Sequence, residues 1–260
     1  MAGHIDGALH RVTAGTGPGT MLMVHPMPTD HTYWLYQMSR FSTVLRVIAV
    51  DLPGFGGSPP ARTGLTVDDL ADACWEAVGA EEGDGPCILA GVSVGATTVL
   101  RMAAGRPERV AAVVVSGTGF VPAKAFAHER IAGYRERGMA YRREHLAGLW
   151  AESSRRDPLT AYFLDTFTER DRQTDLGSIL HIFRALTVPD SAEQFRRVTA
   201  PTLIVTGDED AAHRAAFPLA ELLPDARLEV MRGAGHYCNL ERPWEWDRLV
   251  LDFLGSRGLV

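Results

Sequence analysis

Apolar positions along the chain fall into two alternating patterns. Short runs at 8–13, 21–24, 46–50, 86–90, 110–115, 202–206 and 227–231 read as strands, most of them apolar enough to be buried. Between them lie stretches with helical spacing, at 33–40, 66–80, 96–104, 211–223 and 243–254. The second of these starts at Thr66, a good N-cap, with Asp68 and Asp69 placed to complement the helix dipole. Strand–helix alternation predicts an α/β fold with a mainly parallel sheet covered on both faces. The alternation breaks once. From 121 to 195 there is no convincing strand, only helix-like stretches rich in Arg, Glu and aromatic residues. The expected organisation is therefore a core formed by 1–120 and 196–260, interrupted by a helical insertion at 121–195.

The run at 86–90 leads into Gly91-Val92-Ser93-Val94-Gly95, and a helical stretch follows. Strand, G-x-S-x-G, helix is the setting of a nucleophile elbow, in which a sharp turn holds a serine hydroxyl clear of the sheet. Such a turn strains the serine backbone and leaves no room for side chains two residues before and after it. A serine needs a base, and the base needs an acid to orient it. Among nine histidines, His236 follows the last strand in Gly233-Ala234-Gly235-His236, where a loop reaches the C-terminal edge of the sheet. His4, His128 and His145 read as surface histidines. The strand at 110–115 ends in Ser116-Gly117-Thr118 and offers no carboxylate. The acid therefore comes from Asp208-Glu209-Asp210, and Ser93, Asp210, His236 is a known chain order for a triad. The oxyanion of acyl transfer needs amide donors. Val94 supplies one from the start of the helix. Met27, in His25-Pro26-Met27-Pro28, supplies the other, since its proline neighbours have no N–H.

Composition narrows the partners. A net charge of -6 disfavours nucleic acid, and the positive charge is almost all arginine. Cys74, Cys87 and Cys238 lack the spacing of a disulfide framework or a zinc site, and Cys238 reads as an inert small side chain. Gly15-Thr16-Gly17-Pro18-Gly19 does not fit a dinucleotide fingerprint, and no His-rich ligand spacing occurs. No cofactor or metal is expected. Residues 1–11 lack an apolar signal core and no run is long enough to span a membrane, so a cytoplasmic protein acting on a small molecule is expected. Trp150, Tyr162, Phe163, Phe167 and Phe183 read mainly as the insertion's own core. Arg142, Arg143, Arg155 and Arg156 alternate with Glu144, Glu152 and Asp157 and read as a solvated charged face.

Over nearly its whole length the chain resembles the α/β-hydrolase fold superfamily. The matching pieces are His25-Pro26-Met27-Pro28 with Trp34 downstream, Asp51-Leu52-Pro53-Gly54-Phe55-Gly56-Gly57-Ser58, the elbow at 91–95, the stretch 201–210, and Gly235-His236-Tyr237-Cys238-Asn239-Leu240-Glu241-Arg242-Pro243. The last is similar to enol-lactonases, small esterases and cofactor-free haloperoxidases. The resemblance implies a sheet of about eight strands and a helical lid at 121–195. It assigns Ser93 as nucleophile, Asp210 as acid, His236 as base, and Met27 and Val94 as oxyanion donors. The implied activity is hydrolysis of an ester or lactone of a small to medium apolar acid. Carbon–carbon bond hydrolysis, acyl transfer, or ligand binding without turnover are the alternatives on the same scaffold. One departure stands out: the family usually has His-Gly where this chain has His25-Pro26.

Overall fold

The apolar runs assemble into one sheet. The computed structural model describes residues 5–79, 85–120 and 125–260. Its strands are β1 (Arg11–Ala14), β2 (Thr20–Val24), β3 (Arg46–Val50), β4 (Cys87–Val92), β5 (Val110–Ser116), β6 (Thr202–Gly207) and β7 (Ala226–Met231). They lie in the order β1-β3-β2-β4-β5-β6-β7, with β1 antiparallel to β3 and every other pair parallel. The sheet thus has seven strands among the described residues, where about eight were expected. Ahead of β1, Ile5 forms a bridge to Ala61.

The sheet is covered on both faces because its strands are apolar at both parities. Leu22, Val24, Ile48, Val50 and Leu89 enter one core. There they meet Leu70 and Cys74 of α2 (Val67–Val78) and Val99 and Leu100 of α3 (Val94–Gly105). Their neighbours Met21, Met23, Val47, Ala49 and Ile88 enter the other core. That face is closed by Phe41 of α1 (Leu35–Phe41) and by Trp246, Val250 and Phe253 of the helix Pro243–Ser256. Thr66 and Asp69 form a reciprocal capping box at the start of α2. The helix ends at Val78; the expected end at residue 80 lies outside the described residues. Before α1, residues His31–Trp34 form a turn of 3-10 helix capped by Asp30.

Between β5 and β6 run α4 (Ala125–Arg137), α5 (Ala140–Ala147), α6 (Pro158–Glu169), α7 (Leu176–Ala185) and α8 (Ala192–Arg196). Residues 121–124, the expected start of this insertion, lie outside the described residues. The helices feed both cores: Ile131, Tyr134 and Ile179 join one, Leu146, Trp150 and Phe163 the other. Trp150, Phe163, Phe167 and Phe183 are buried, whereas Tyr162 is exposed. Two expectations require correction. His145 is not a surface histidine: it lies on α5 and is 4% exposed, with Tyr134, Tyr141 and Phe183 packed around its ring. Arg142 does not belong to the solvated face; it is 1% exposed and fully engaged in hydrogen bonds, while Arg143, Arg155 and Arg156 are exposed.

The β4–α3 turn is the tightest point of the architecture. A Cβ on Gly91 would collide with the Gly95 backbone, and one on Gly95 would lie inside the Val24 carbonyl oxygen. Gly95→Ala is therefore expected to destabilise the protein by at least about 2 kcal/mol, because the obstacle is backbone that cannot rotate away. Gly105→Ala, at the open far end of the same helix with nothing within 4 Å, is expected to be neutral or stabilising by about 0.5–1 kcal/mol. Urea unfolding midpoints of the two variants check this contrast.

Candidate active site

Every predicted site residue emerges at the C-terminal edge of the sheet, where parallel strands hand the chain to loops. Ser93 follows β4 directly and has φ 58° and ψ -118°, alone among described non-glycine residues at positive φ. Such a conformation costs of order 1–3 kcal/mol and persists only where its surroundings enforce it. Here the enforcement is visible. The Ser93 amide donates to the Ser116 carbonyl at 3.0 Å, and its own carbonyl accepts from the Thr97 amide at 3.0 Å, starting α3. Val94 is the first residue of α3, so its N–H has no partner within the helix.

The loops after β6 and β7 are stitched together. Asp208 accepts from the Gly233 amide at 2.6 Å, the Asp208 amide donates to the Met231 carbonyl at 3.1 Å, and the Glu209 amide donates to the Ala234 carbonyl at 3.0 Å. This lattice commits Asp208 to the backbone and turns Asp210 inward. Asp210 Oδ1 lies 2.9 Å from His236 Nδ1 and accepts from the Ala212 amide, also at 2.9 Å. Oδ2 is buried without a protein partner. Burial alone would raise the Asp210 carboxyl. The adjacent His236 charge, their hydrogen bond and the Ala212 amide outweigh it and hold the group below its ordinary value. An ionised Asp210 only accepts, so His236 carries its proton on Nδ1 and leaves Nε2 as the basic nitrogen.

Two features to which sequence reasoning gave no role hold the His236 loop. Gly117, at φ 62° after β5, lies against the ring: a Cβ there would stand 2.8 Å from Cε1 and 3.1 Å from Nε2. Glu241 accepts from the Gly235 amide at 2.9 Å and from the Ser154 hydroxyl at 2.6 Å, tying the histidine loop to the β5–β6 segment. The His236 amide donates to the Leu149 carbonyl at 2.9 Å. The Asn-Leu-Glu-Arg-Pro motif thus acts structurally, with Asn239 accepting from the buried Tyr33 hydroxyl at 2.6 Å. Only the Gly-His spacing and the motif itself signalled this arrangement; the contact of Gly117 is made between strands far apart in sequence.

Ser93, His236, Asp210, Met27 and Val94 all line one cavity of about 780 Å³. No hydrogen bond joins Ser93 to His236 among the described residues; both side chains line the same cavity. Leu149, Trp150, Phe183 and Leu186 supply apolar surface. Polar side chains line it as well, among them Arg130, His145, Glu152, Arg155, Glu209 and Arg214. Arg130 donates to the Tyr141 hydroxyl at 2.7 Å, and the Tyr134 hydroxyl lies 3.0 Å from His145 Nδ1. Burial, reinforced by the nearby Arg130, pushes His145 well below the usual histidine range, so it is neutral.

Elsewhere, His10, His31 and Asp51 bring ligand-type atoms within 4.8 Å of one another. The Asp51 oxygens already meet His10 Nδ1 at 2.7 Å, His31 Nδ1 at 2.8 Å and the amides of His31 and Gly57 at 2.7 and 2.9 Å. Asp51 is therefore a hub that holds the β3 loop to the start of the chain. The buried thiol of Cys238 is pushed up to about 12 by desolvation, which makes it unreactive.

A parallel sheet with a strained serine after its central strand, and an Asp–His pair on the following loops, defines an α/β hydrolase. The chain belongs to the alpha/beta hydrolase family, whose model matches residues 21–246. It is 26% identical over 97% of its length to 2-hydroxy-6-oxononadienedioate/2-hydroxy-6-oxononatrienedioate hydrolase 2 of Pseudomonas putida, covering 93% of that protein. Among solved structures it is similar to a thermophilic esterase from Thermogutta terrifontis, at TM-score 0.82 and 25% identity, over 96% of this chain and 93% of that one. The fold is shared with the enol-lactonase from Burkholderia xenovorans LB400, at TM-score 0.84 and 21% identity, over 95% and 96% of the two chains. No described helix is long and apolar enough to cross a membrane.

The two acidic positions separate cleanly in their surroundings. Asp210→Asn is expected to lower turnover of an activated ester by roughly 10⁴, through loss of the productive imidazole tautomer. Asp208→Asn, which touches only backbone, is expected to leave turnover within about tenfold and to act on stability, where one hydrogen bond is worth about 1 kcal/mol. Steady-state kinetics paired with thermal melts of both variants decide it; the reverse ranking would reassign the acid.

Proposed function

We propose that this chain is a serine hydrolase that cleaves an ester or lactone of a small to medium apolar acid through an acyl-enzyme. The observation that carries this reading is the 2.9 Å Asp210–His236 hydrogen bond, opening onto the same cavity as the strained Ser93. In this mechanism His236 Nε2 takes the Ser93 proton as Oγ attacks the carbonyl carbon. Negative charge on the carbonyl oxygen is received by the Met27 and Val94 amides. The intermediate collapses, His236 returns the proton to the leaving alkoxide, and Ser93 is left acylated. A water molecule, deprotonated by His236, then releases the acid and restores the hydroxyl. Asp210 stays ionised throughout and holds the imidazole in register. The 121–195 segment acts as a lid: side chains from its described residues, 125–195, form much of the cavity wall, so it selects the substrate.

A second reading places the same triad on a carbon–carbon bond: Ser93, or a water deprotonated by His236, attacks a ketone carbonyl, the intermediate collapses with the carbon–carbon bond pair leaving as a stabilised enolate carbon that takes up a proton from the His236 imidazolium, and water releases any acyl group left on Ser93. Arg130 favours it: this cavity arginine has a hydroxyl as its hydrogen-bond partner and no carboxylate among the described residues. A dicarboxylate such as the one in the Pseudomonas putida relative's name would supply that counter-charge.

A fluorophosphonate probe, followed by peptide mass mapping, tests the shared core of both readings. The modification is expected on Ser93, and Ser93→Ala is expected to remain folded while losing on the order of 10⁶ in turnover. Absence of labelling would favour binding without turnover; ester hydrolysis near the wild-type rate in Ser93→Ala would contradict the nucleophile assignment.

A further inference from the structure

The loop that carries Met27 is gripped from two sides. From the core, His25 Nε2 accepts from the Leu52 amide at 2.9 Å. Its proton therefore sits on Nδ1, which donates to the Pro26 carbonyl at 2.9 Å. Burial holds this imidazole below its ordinary value, so the tautomer is neutral and fixed. The Thr29 hydroxyl donates to the same carbonyl at 2.7 Å. From the β5–β6 segment comes Arg142 of α5. Its Nε and Nη2 both donate to the Pro28 carbonyl, at 3.1 and 2.8 Å. Its Nη1 donates to the Phe167 carbonyl at 2.6 Å and to the Asp171 carboxylate. Two residues beyond Pro28, Asp30 is paired with Arg170 of the same segment while capping the 3-10 turn through the Thr32 amide at 2.9 Å.

A guanidinium that is 1% exposed is an expensive way to fill space. Its value lies in the rigid planar fork, which fixes a carbonyl in position and orientation as a flexible side chain does not. The carbonyl chosen here, that of Pro28, lies two peptide units beyond the one carrying the Met27 N–H, the donor in the reading above. We propose that Arg142 is a positioning residue for the oxyanion hole: it orients the 26–30 loop, and with it the Met27 N–H, when the helical segment is docked on the core. The proposal rests on the hydrolase reading above. It adds that the segment over the site sets the transition-state donor as well as the substrate pocket. His145, one turn along α5 from Arg142, lines the same cavity, so substrate contact and loop position are read by a single helix.

The test compares Arg142→Met, Arg142→Lys and the exposed neighbour Arg143→Met, using an activated ester, a trifluoromethyl ketone that forms an oxyanion on Ser93, and the product acid. For Arg142→Met, kcat is expected to fall about 10²-fold with KM within about threefold, since a misplaced donor weakens only the transition state. Ketone affinity should fall in parallel and product affinity should not. Arg142→Lys keeps the charge but cannot fork two donors onto one carbonyl, so an intermediate loss of kcat is expected. Arg143→Met should resemble wild type. Wild-type kcat in folded Arg142→Met, or in Arg142→Lys should the methionine variant not fold, overturns the proposal. Equal losses in ketone and product affinity also overturn it, because they indicate a role in pocket shape alone. Failure of the hydrolase reading itself is separate and shows earlier: wild-type protein would not be labelled at Ser93 by the fluorophosphonate probe.

Discussion

The contact on which the rest of the molecule depends is the near-touching of backbone at the β4–α3 turn. Gly95 lies against the Val24 carbonyl of β2 and Gly91 against the Gly95 peptide, so helix and strand approach without intervening side chains. This closeness forces the turn between them to be sharp, and the sharp turn places Ser93 at φ 58°. The strain is held by hydrogen bonds at both ends of the residue and by the packing of α3 against a sheet covered on both faces. The seryl position is thus a property of the fold's centre, not of a flexible loop. A rigidly held serine also lets the remaining groups be organised around a fixed point.

Strand order does that organising. With β4 central, the loops after β2, β5, β6 and β7 flank Ser93 from either side at one sheet edge. The loop after β2 carries Met27, the end of β5 carries Gly117 against the His236 ring, and the joined loops after β6 and β7 carry Asp210 and His236. Asp208 accepts from the Gly233 amide and Glu209 from the Glu152 amide, so of three consecutive acidic residues Asp210 alone is paired with His236. The β5–β6 segment covers this edge, and its fastenings include Arg142 to Pro28, Arg170 to Asp30, Ser154 to Glu241 and the Leu149 carbonyl to the His236 amide.

Much of this was legible from residue patterns. The strand runs carry their burial in their composition, and the G-x-S-x-G motif carries its geometry in its glycines. Thr66 and Asp69 announce the capping box of α2 directly. The pairing of His236 with Asp210 was reachable because both follow strands that must end at the same edge. What was not legible depends on contacts between distant segments. Arg142 sits in a sequence neighbourhood of alternating charge that suggests a solvated face. Its burial follows from Pro28, Phe167 and Asp171, which lie far away along the chain. His145 was misplaced for the same reason: α5 buries Tyr141, Arg142, His145 and Leu146 as one face, and two polar members disguise the helical periodicity. Gly117 carries no local signal beyond its position after β5.

The central claim is that the elbow fixes Ser93 opposite two waiting amides. The most direct measurement is a crystal structure of the protein with a phosphonate bound to Ser93. The account predicts a bond from Ser93 Oγ to phosphorus, with the phosphonyl oxygen accepting from the Met27 and Val94 amides at about 2.7–3.1 Å. An oxygen directed instead at solvent, or at a side chain of the 121–195 segment, would contradict it.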